Sequence, residues 1–199
     1  MSRTLYRVFP WDPAATPGTL CAPDYVPPKQ GSGRFDLRDG AVLYLGELPE
    51  HPVSEMLQSF RGRTFRNGML RRFGHPLALV DVTIPDDIAS GIVDLDDPRE
   101  LIRFGLAPST VVSDDRTRTR DVAAAVYESG ATGLRWWSKL SGDWHGVVLF
   151  LSRVPIARLE FGTPTRLTPV HQSVVAACRH LGIPVNEPSR PANSGRALL

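Results

Sequence analysis

The sequence has few cysteines, no long hydrophobic run and almost no net charge, and each shortage argues against a class of protein. Cys21 and Cys178 are the two cysteines among 199 residues. Neither belongs to a CxxC pair, so a structural zinc site or a dithiol redox motif is not expected. The N-terminus lacks the apolar core of a signal peptide, and no run approaches the ~20 apolar residues of a membrane-spanning helix. The net charge of +2 does not demand a polyanionic partner. We therefore expect a cytoplasmic protein that enters no membrane and binds no nucleic acid directly.

The motifs of the common nucleotide, hydrolase and metal sites are also missing. No GxGxxG follows a predicted strand and no Walker A sequence occurs, so neither a Rossmann nor a P-loop site is expected. No Gly-x-Ser-x-Gly elbow is present, which argues against a serine hydrolase. The histidines are scattered without the spacing of metal ligands, so no metal is expected. They are His51, His75, His145, His171 and His180.

The length of 199 residues suits one domain with a substantial core. Apolar periodicity predicts an α+β domain over residues 1–185 with mixed strands and a few helices. Residues 10–33 show no periodicity and predict a long loop. The Pro, Ser, Asn and Gly content of residues 186–199 predicts a flexible C-terminal tail. Strands are predicted over 5–9, 41–45, 77–84, 133–137 and 146–151, with a possible strand over 157–161, and helices over 49–60, 98–104, 118–128 and from Thr168-Pro169 to Gly182.

Two residues near the end of the long loop have side chains that suit a nucleotide ligand. Arg34 follows a Gly-Ser-Gly segment, so its guanidinium could be aimed at a pyrophosphate, whose oxygens it matches bidentately. The alternative is an ordinary surface arginine. Tyr44 lies in an otherwise apolar strand, where its ring could stack on nicotinamide or adenine; the alternative is a core tyrosine with a satisfied hydroxyl.

An acid and a hydroxyl complete the set of candidate residues. Glu55 lies one position off the apolar stripe of the predicted helix 49–60, so its carboxylate could point sideways into a cleft. Such a carboxylate can stabilise the positive charge that develops on ribose when an N-glycosidic bond breaks. Glu47 and Glu50 compete with it for this role, and a solvated glutamate is the alternative. Ser138 follows two tryptophans at the end of a predicted strand, where it could bond a nicotinamide amide or a phosphate.

The segment Arg61–Arg72 contains five arginines. Such a segment would suit phosphate backbones, but it lacks the pattern of a recognition helix. A solvated basic face is therefore the favoured interpretation.

In their order and spacing, these residues resemble the RES-domain family, toxins of bacterial toxin–antitoxin pairs that are named for an Arg, a Glu and a Ser. The resemblance covers roughly residues 5–185. It is carried by Tyr6-Arg-Val-Phe9, Gly33-Arg-Phe-Asp36, Val42-Leu-Tyr-Leu45, Glu55, Gly133-Leu-Arg-Trp-Trp-Ser138 and Val147-Val-Leu-Phe150.

The resemblance implies a fold like that of ADP-ribosyltransferase toxins, a single domain with a split mixed sheet and NAD+ in its cleft. It implies that Arg34 is the family arginine, Tyr44 the cleft aromatic, Glu55 the catalytic acid and Ser138 the family serine, with Phe35 lining the nicotinamide pocket. Family members often have Trp-Asn after the arginine, where this chain has Phe35-Asp36, which leaves the role of position 36 open.

The expected function is that of a type II toxin that cleaves the nicotinamide–ribose bond of NAD+ and arrests bacterial growth. The resemblance leaves open whether water, phosphate or a protein accepts the ADP-ribose. A protein ADP-ribosyltransferase is the alternative enzyme, and a non-enzymatic binding module is the alternative of a different class. The resemblance also implies a multimeric complex with an antitoxin that carries an Xre-type helix-turn-helix domain and blocks the cleft.

Overall fold

The computed structural model describes residues 2–28 and 30–185. The predicted tail over 186–199 therefore lies outside the described residues. No helix in the described ranges has the length and hydrophobicity to cross a bilayer.

Nine strands form a mixed sheet within these ranges. All neighbouring pairs are antiparallel except β5 and β6, which run parallel. The order along the sheet is β3-β4-β1-β2-β7-β6-β5, and β8 and β9 also pair with β4. The strands are β1 (Arg3–Pro10), β2 (Val42–Gly46), β3 (Arg71–Arg72), β4 (His75–Ile84), β5 (Ile92–Asp94), β6 (Gly133–Ser138), β7 (Ser141–Phe150), β8 (Glu160–Phe161) and β9 (Thr165–Arg166).

The sheet is split between β1 and β2. These strands pair at a single position, Tyr6 with Gly46, whereas β1 pairs with β4 along its whole length and β2 with β7 along its whole length. Two well-paired halves therefore meet at one point and diverge from it. This divergence opens a cleft on the sheet.

Helices cover the sheet, and short 3-10 helices connect some of its elements. The α-helices are α1 (Glu50–Leu57), α2 (Asp86–Ser90), α3 (Pro98–Arg103), α4 (Pro108–Val111), α5 (Arg116–Glu128) and α6 (Gln172–Leu181), and the 3-10 helices are Gln58–Phe60, Asn67–Leu70 and Ile156–Arg158.

Alternation along the strands sends neighbouring side chains to opposite faces. On β4, Leu77 and Leu79 belong to the core under α1 and α6, whereas Ala78 and Val80 belong to the core on the other face. On β2, Val42 joins a third core under α5. Because the α1/α6 core covers one half of the sheet and the α5 core covers the other, the cleft lies between these two cores.

The α+β class and the single mixed sheet with flanking helices are confirmed. The long loop is also confirmed, since residues 11–28 and 30–41 contain no helix or strand. The guanidinium of Arg7 holds it to the sheet by donating to the carbonyls of Pro23 and Tyr25.

Three details of the predicted elements are wrong. The strand predicted over 146–151 begins earlier, since β7 spans Ser141–Phe150. Over 157–161, a 3-10 helix and the two-residue strand β8 replace the possible strand. The last helix begins at Gln172 rather than after Thr168, and the ring of His171 caps it by accepting from the backbone N–H of Ser173 at 3.2 Å. Its predicted end is correct, because Gly182 adopts a left-handed φ of 66° as the C-cap.

Candidate active site

A cavity of about 870 Å³ occupies the cleft where β1 and β2 diverge. Its volume falls within the ~300–1,000 Å³ of typical small-molecule sites. Val8 of β1 and Tyr44 of β2 form its floor on the sheet, and α1 contributes Glu55. Arg34 comes from the long loop. Three of the four residues predicted to carry the chemistry therefore line one cavity.

Arg34 is half-buried and only partly satisfied by the protein. Its Nη2 donates to the backbone carbonyl of Val111 at 2.6 Å, and its guanidinium lies 5.5 Å from the ring centroid of Phe35. Its Nε is buried and has no hydrogen-bond partner among the described residues. Burial lowers the pKa of the guanidinium, while the charges of Glu55 and Asp114 oppose this shift; an arginine nevertheless remains charged at neutral pH. Arg34 is thus a cation with unused donor capacity in the wall of the cavity.

The loop that carries Arg34 is held by a buried hydroxyl–carboxylate pair. Tyr44 donates its hydroxyl to Asp36 Oδ1 at 2.8 Å and accepts from the backbone N–H of Phe35 at 2.9 Å. Asp36 is 2% exposed, and its Oδ2 accepts from the N–H of Gly33 at 2.7 Å. A Cβ on Gly33 would overlap both Asp36 and the Tyr44 hydroxyl, so this position requires glycine.

These contacts define the role of Tyr44 and of position 36. Burial, then the charge of Asp36 and its hydrogen bond, raise the pKa of the Tyr44 phenol far above its usual value. The hydroxyl is therefore a fixed donor to the loop, while the ring faces the cavity. Asp36 holds the backbone on both sides of Arg34, by accepting from the N–H of Gly33 and by binding the Tyr44 hydroxyl that accepts from the N–H of Phe35. Position 36, whose role the sequence left open, is therefore structural.

Glu55 presents an ionised carboxylate to the cavity. Its Oε1 lies 3.4 Å from both Ser138 Oγ and His51 Nε2, and its Oε2 accepts from Gln58 Nε2 at 2.6 Å. Burial raises the pKa of this carboxyl, but the hydrogen bond and charge of His51, the charge of Arg34 and the hydroxyl of Ser138 outweigh it, so the pKa lies below its usual value. With its side chain 44% exposed, Glu55 is both held in place and open to a ligand.

Ser138 meets Glu55 because of an irregularity in the sheet. The register of β6 against β7 shifts between Trp137 and Ser138, and such bulges redirect side chains, often beside active sites. Ser138 is 3% exposed; it donates to Glu55 and accepts from the N–H of Leu140 at 3.1 Å. Ser138 is not among the residues that line the cavity. It therefore orients the Glu55 carboxylate through a hydrogen bond and does not itself face the cavity.

The structure corrects the position expected for Phe35. This side chain is fully buried in the α5 core and packs on Trp136 with ring centroids 4.7 Å apart. It is not among the residues that line the cavity, whereas Trp136 is. Phe35 therefore anchors the Arg34 loop in the α5 core.

The three candidate acids differ in their position relative to the cavity. Glu47 forms an ion pair with Arg135 at 2.5 Å and another with Arg3, and neither Glu47 nor Glu50 lines the cavity. Glu55 alone of the three does so.

Other residues that line the cavity were not predicted as site residues, and four of them bear on its chemistry. Trp136 forms part of the wall, and Arg116 and Lys139 add positive charge, with Lys139 paired to Asp114. Trp136 lies within β6, Arg116 begins α5 and Lys139 directly follows β6. Arg116 and Lys139 belong to none of the motifs that the sequence indicated. The buried His51 was also missed, although its position one helical turn before Glu55 places it on the same helix face.

The remaining candidate residues take no part in the cavity. Cys178 is buried in the α1/α6 core, and burial raises the pKa of its thiol. Among the described residues, no cluster of histidine, cysteine or acidic side chains has the arrangement of a metal site. The arginines of the basic segment are exposed, as expected of a solvated face; they are Arg61, Arg63, Arg66, Arg71 and Arg72.

The comparisons with known proteins agree with this architecture. One chain of the crystal structure of the M. tuberculosis MbcT–MbcA toxin–antitoxin complex has a similar fold, with a TM-score of 0.59 over 92% of this chain and 90% of that chain at 16% sequence identity. No curated protein sequence matches the chain significantly. The model of the RES domain matches residues 4–167, which is most of the chain and includes every residue of the site described above. The protein therefore belongs to the RES domain family.

Proposed function

We propose that this protein is the toxin of a toxin–antitoxin pair and that it cleaves the nicotinamide–ribose bond of NAD+. The observation that carries the proposal is an oriented carboxylate, Glu55, that faces the same cavity as an incompletely satisfied arginine, Arg34. Family membership and the fold shared with a chain of a toxin–antitoxin complex support it.

The charges of the cavity fit the substrate. NAD+ carries a pyrophosphate, and Arg34, Arg116 and Lys139 supply cations around the cavity. Guanidinium groups bind phosphate oxygens bidentately. The aromatic wall formed by Tyr44 and Trp136 offers ring surfaces to a nicotinamide or adenine.

The chemistry requires a carboxylate that is ionised during bond cleavage. Nicotinamide leaves NAD+ as a neutral molecule, so the positive charge passes to the ribose in an oxocarbenium-like state. A preorganised negative charge beside the ribose stabilises that state. Glu55 meets both requirements, because its pKa is lowered and Ser138 and Gln58 hold its two oxygens.

The direct test measures nicotinamide release from NAD+ by the purified chain and by Glu55→Gln. This substitution keeps the shape of the side chain and removes its charge. We expect a loss of at least 100-fold, about the effect of removing one preorganised electrostatic group. Glu50→Gln is the matched control, since Glu50 lies on the same helix outside the cavity, and it should retain parental turnover. Parental turnover by a folded Glu55→Gln protein would contradict the assignment.

The same variants test the cellular role. After a short pulse of expression, the parent should deplete NAD+ in the cytoplasm and arrest growth, whereas Glu55→Gln should do neither. Growth arrest without NAD+ loss, together with labelled ADP-ribose on a protein, would support a protein ADP-ribosyltransferase instead. Normal growth and no turnover in vitro would support a binding module.

We further propose that a cognate antitoxin with an Xre-type helix-turn-helix domain neutralises this chain in a multimeric complex. Co-expression of the adjacent gene should restore growth, and the two proteins should copurify. Failure of the neighbouring product to bind the chain would contradict this part of the proposal.

A further inference from the structure

Asp114 is an acidic residue among the cations of the cavity wall. Of the described residues that line the cavity, two are acidic and three are arginines or lysines; they are Glu55 and Asp114, and Arg34, Arg116 and Lys139. Glu55 has a role in the proposed chemistry, whereas Asp114 has none. A carboxylate beside cations that bind a pyrophosphate repels that ligand. The position of Asp114 therefore opposes the binding that the cations favour.

The backbone on either side of Asp114 is held in place. Val111, at the end of α4, is buried, and its carbonyl accepts from Arg34 Nη2 at 2.6 Å. Asp115 caps α5, because its side chain accepts from the N–H of Thr117 at 2.9 Å. Asp114 lies between these two anchors, and Arg34 is bonded to one of them. The short connection between α4 and α5 therefore keeps the Asp114 carboxylate near the Arg34 guanidinium, and the charge of each shifts the pKa of the other.

Lys139 is the direct partner of Asp114. Its Nζ forms an ion pair with Asp114 Oδ1. Lys139 directly follows β6, in the turn where the N–H of Leu140 donates to Ser138 Oγ at 3.1 Å. The side chains of Lys139 and Asp114 are 40% and 82% exposed, and ion pairs with this exposure contribute little free energy. The carboxylate can therefore leave the ammonium at low cost.

We propose that Asp114 competes with the pyrophosphate of the substrate for Lys139 and so limits the affinity of the cavity for its ligand. This inference rests on the proposed function of the cavity. An ammonium that held both groups would bring two negative charges together. A phosphate oxygen that binds Lys139 therefore displaces the carboxylate, and the ion pair is lost. Asp114 is in this sense a specificity-determining residue, because it disfavours ligands that bring negative charge to Lys139.

The competition favours release of the product. Cleavage of the nicotinamide–ribose bond leaves the pyrophosphate on the ADP-ribose, so the product keeps the group that the cations bind. A cavity with Arg34, Arg116 and Lys139 but without Asp114 would hold this product more tightly. Slow product release limits the turnover of many enzymes. A carboxylate that returns to Lys139 assists the departure of the phosphate.

A purely structural ion pair would have the opposite effect. If Asp114 served to hold Lys139 in position for the ligand, then removal of the carboxylate would weaken binding. If Asp114 competes with the ligand, then removal of the carboxylate strengthens binding. The sign of the change in affinity therefore distinguishes the two roles.

The first experiment measures the affinity for ADP-ribose by isothermal titration calorimetry and does not depend on turnover. Asp114→Asn keeps the size of the side chain and removes its charge. We expect the Kd to fall about two- to fivefold, the range that corresponds to the loss of one exposed ion pair. Asp87→Asn is the matched control, because Asp87 forms an exposed ion pair with Arg158 at 2.9 Å outside the cavity. Its Kd should equal that of the parent, whereas an unchanged or higher Kd in Asp114→Asn would overturn the inference.

The second experiment tests whether the effect of Asp114 depends on Lys139. Lys139→Gln removes the ammonium, so it should bind ADP-ribose more weakly than the parent. Adding Asp114→Asn to this variant should improve the affinity much less than it does in the parent, because no ammonium remains to be freed. An equal improvement in both backgrounds would overturn the inference, since Asp114 would then act without Lys139.

The outcomes separate the inference from the proposed function. If the parent cleaves NAD+ but Asp114→Asn binds ADP-ribose as the parent does, the inference fails and the proposed function stands. If the parent cleaves no NAD+, the proposed function fails, and the titrations with ADP-ribose still decide whether Asp114 competes for Lys139. The absence of ADP-ribose binding by the parent and by Asp114→Asn would overturn the inference.

Discussion

The hydroxyl of Tyr44 provides the most direct test of how the arginine loop is held. In Tyr44→Phe, Asp36 loses the hydrogen bond that it accepts at 2.8 Å, and the N–H of Phe35 loses the acceptor at 2.9 Å. A hydrogen bond to a charged group is worth about 1.5–3 kcal/mol, and a buried donor left unpaired costs about 1–3 kcal/mol. We expect the free energy of unfolding to fall by about 3 kcal/mol, which corresponds to a Tm lower by about 6–12 °C for a domain of this size.

Urea denaturation of the parent and Tyr44→Phe measures this loss, and NAD+ turnover measures its effect on the site. Tyr127→Phe is the matched control, because its hydroxyl bonds Ser152 Oγ at 3.1 Å in an exposed position. That variant should change the stability by no more than about 0.5 kcal/mol. A loss below about 1 kcal/mol in Tyr44→Phe would refute the reasoning, since it would mean that water replaces both hydrogen bonds at little cost.

Two further predictions concern the same loop. The usual pKa of tyrosine is about 10. Above that pH, Tyr44 keeps its proton in the folded state but loses it in the unfolded chain. The stabilisation by the Tyr44 hydroxyl is therefore fully present below pH ~10 and decreases above it by up to about 1.4 kcal/mol per pH unit. Urea denaturation between about pH 9 and 11 should therefore show the stability gap between the parent and Tyr44→Phe narrowing as the pH rises; a constant gap would contradict the raised pKa. Gly33→Ala should reduce stability by about 1–3 kcal/mol through overpacking and also reduce NAD+ turnover, because the added Cβ would overlap Asp36 and Tyr44. Gly142→Ala, where a Cβ would meet open space, should match the parent in both denaturation and turnover assays.

The elements that the sequence predicts well are those determined by neighbouring residues. The apolar run of β4 and the 3.6-residue periodicity of α5 each bury a continuous surface, so composition and spacing suffice to locate them. The position of Glu55, one residue off the apolar stripe of α1, likewise indicates that its carboxylate lies at the edge of the buried face.

Short elements and helix starts depend on partners elsewhere in the chain. The three residues of β5 form a strand because they pair in parallel with β6, and the local sequence gives no sign of this. Thr168 and Pro169 have the residue types of a helix start, but the N–H of Leu167 donates to the carbonyl of Leu77 at 2.9 Å. This bond extends the edge of the sheet to Leu167, so the helix begins only after a further turn.

The sequence by itself determined the class of fold, the family resemblance and the residue types of the site, because these follow from periodicity and from short motifs. The tertiary structure determined which groups each of those residues contacts. Tyr44 supports the loop through Asp36, Phe35 anchors it in the core, and Ser138 reaches Glu55 through a register shift in the sheet. Each of these contacts joins segments that only the packing of the two halves of the sheet brings together. Hydrogen-bond geometry over a few ångströms depends on that packing, and local sequence patterns do not encode it.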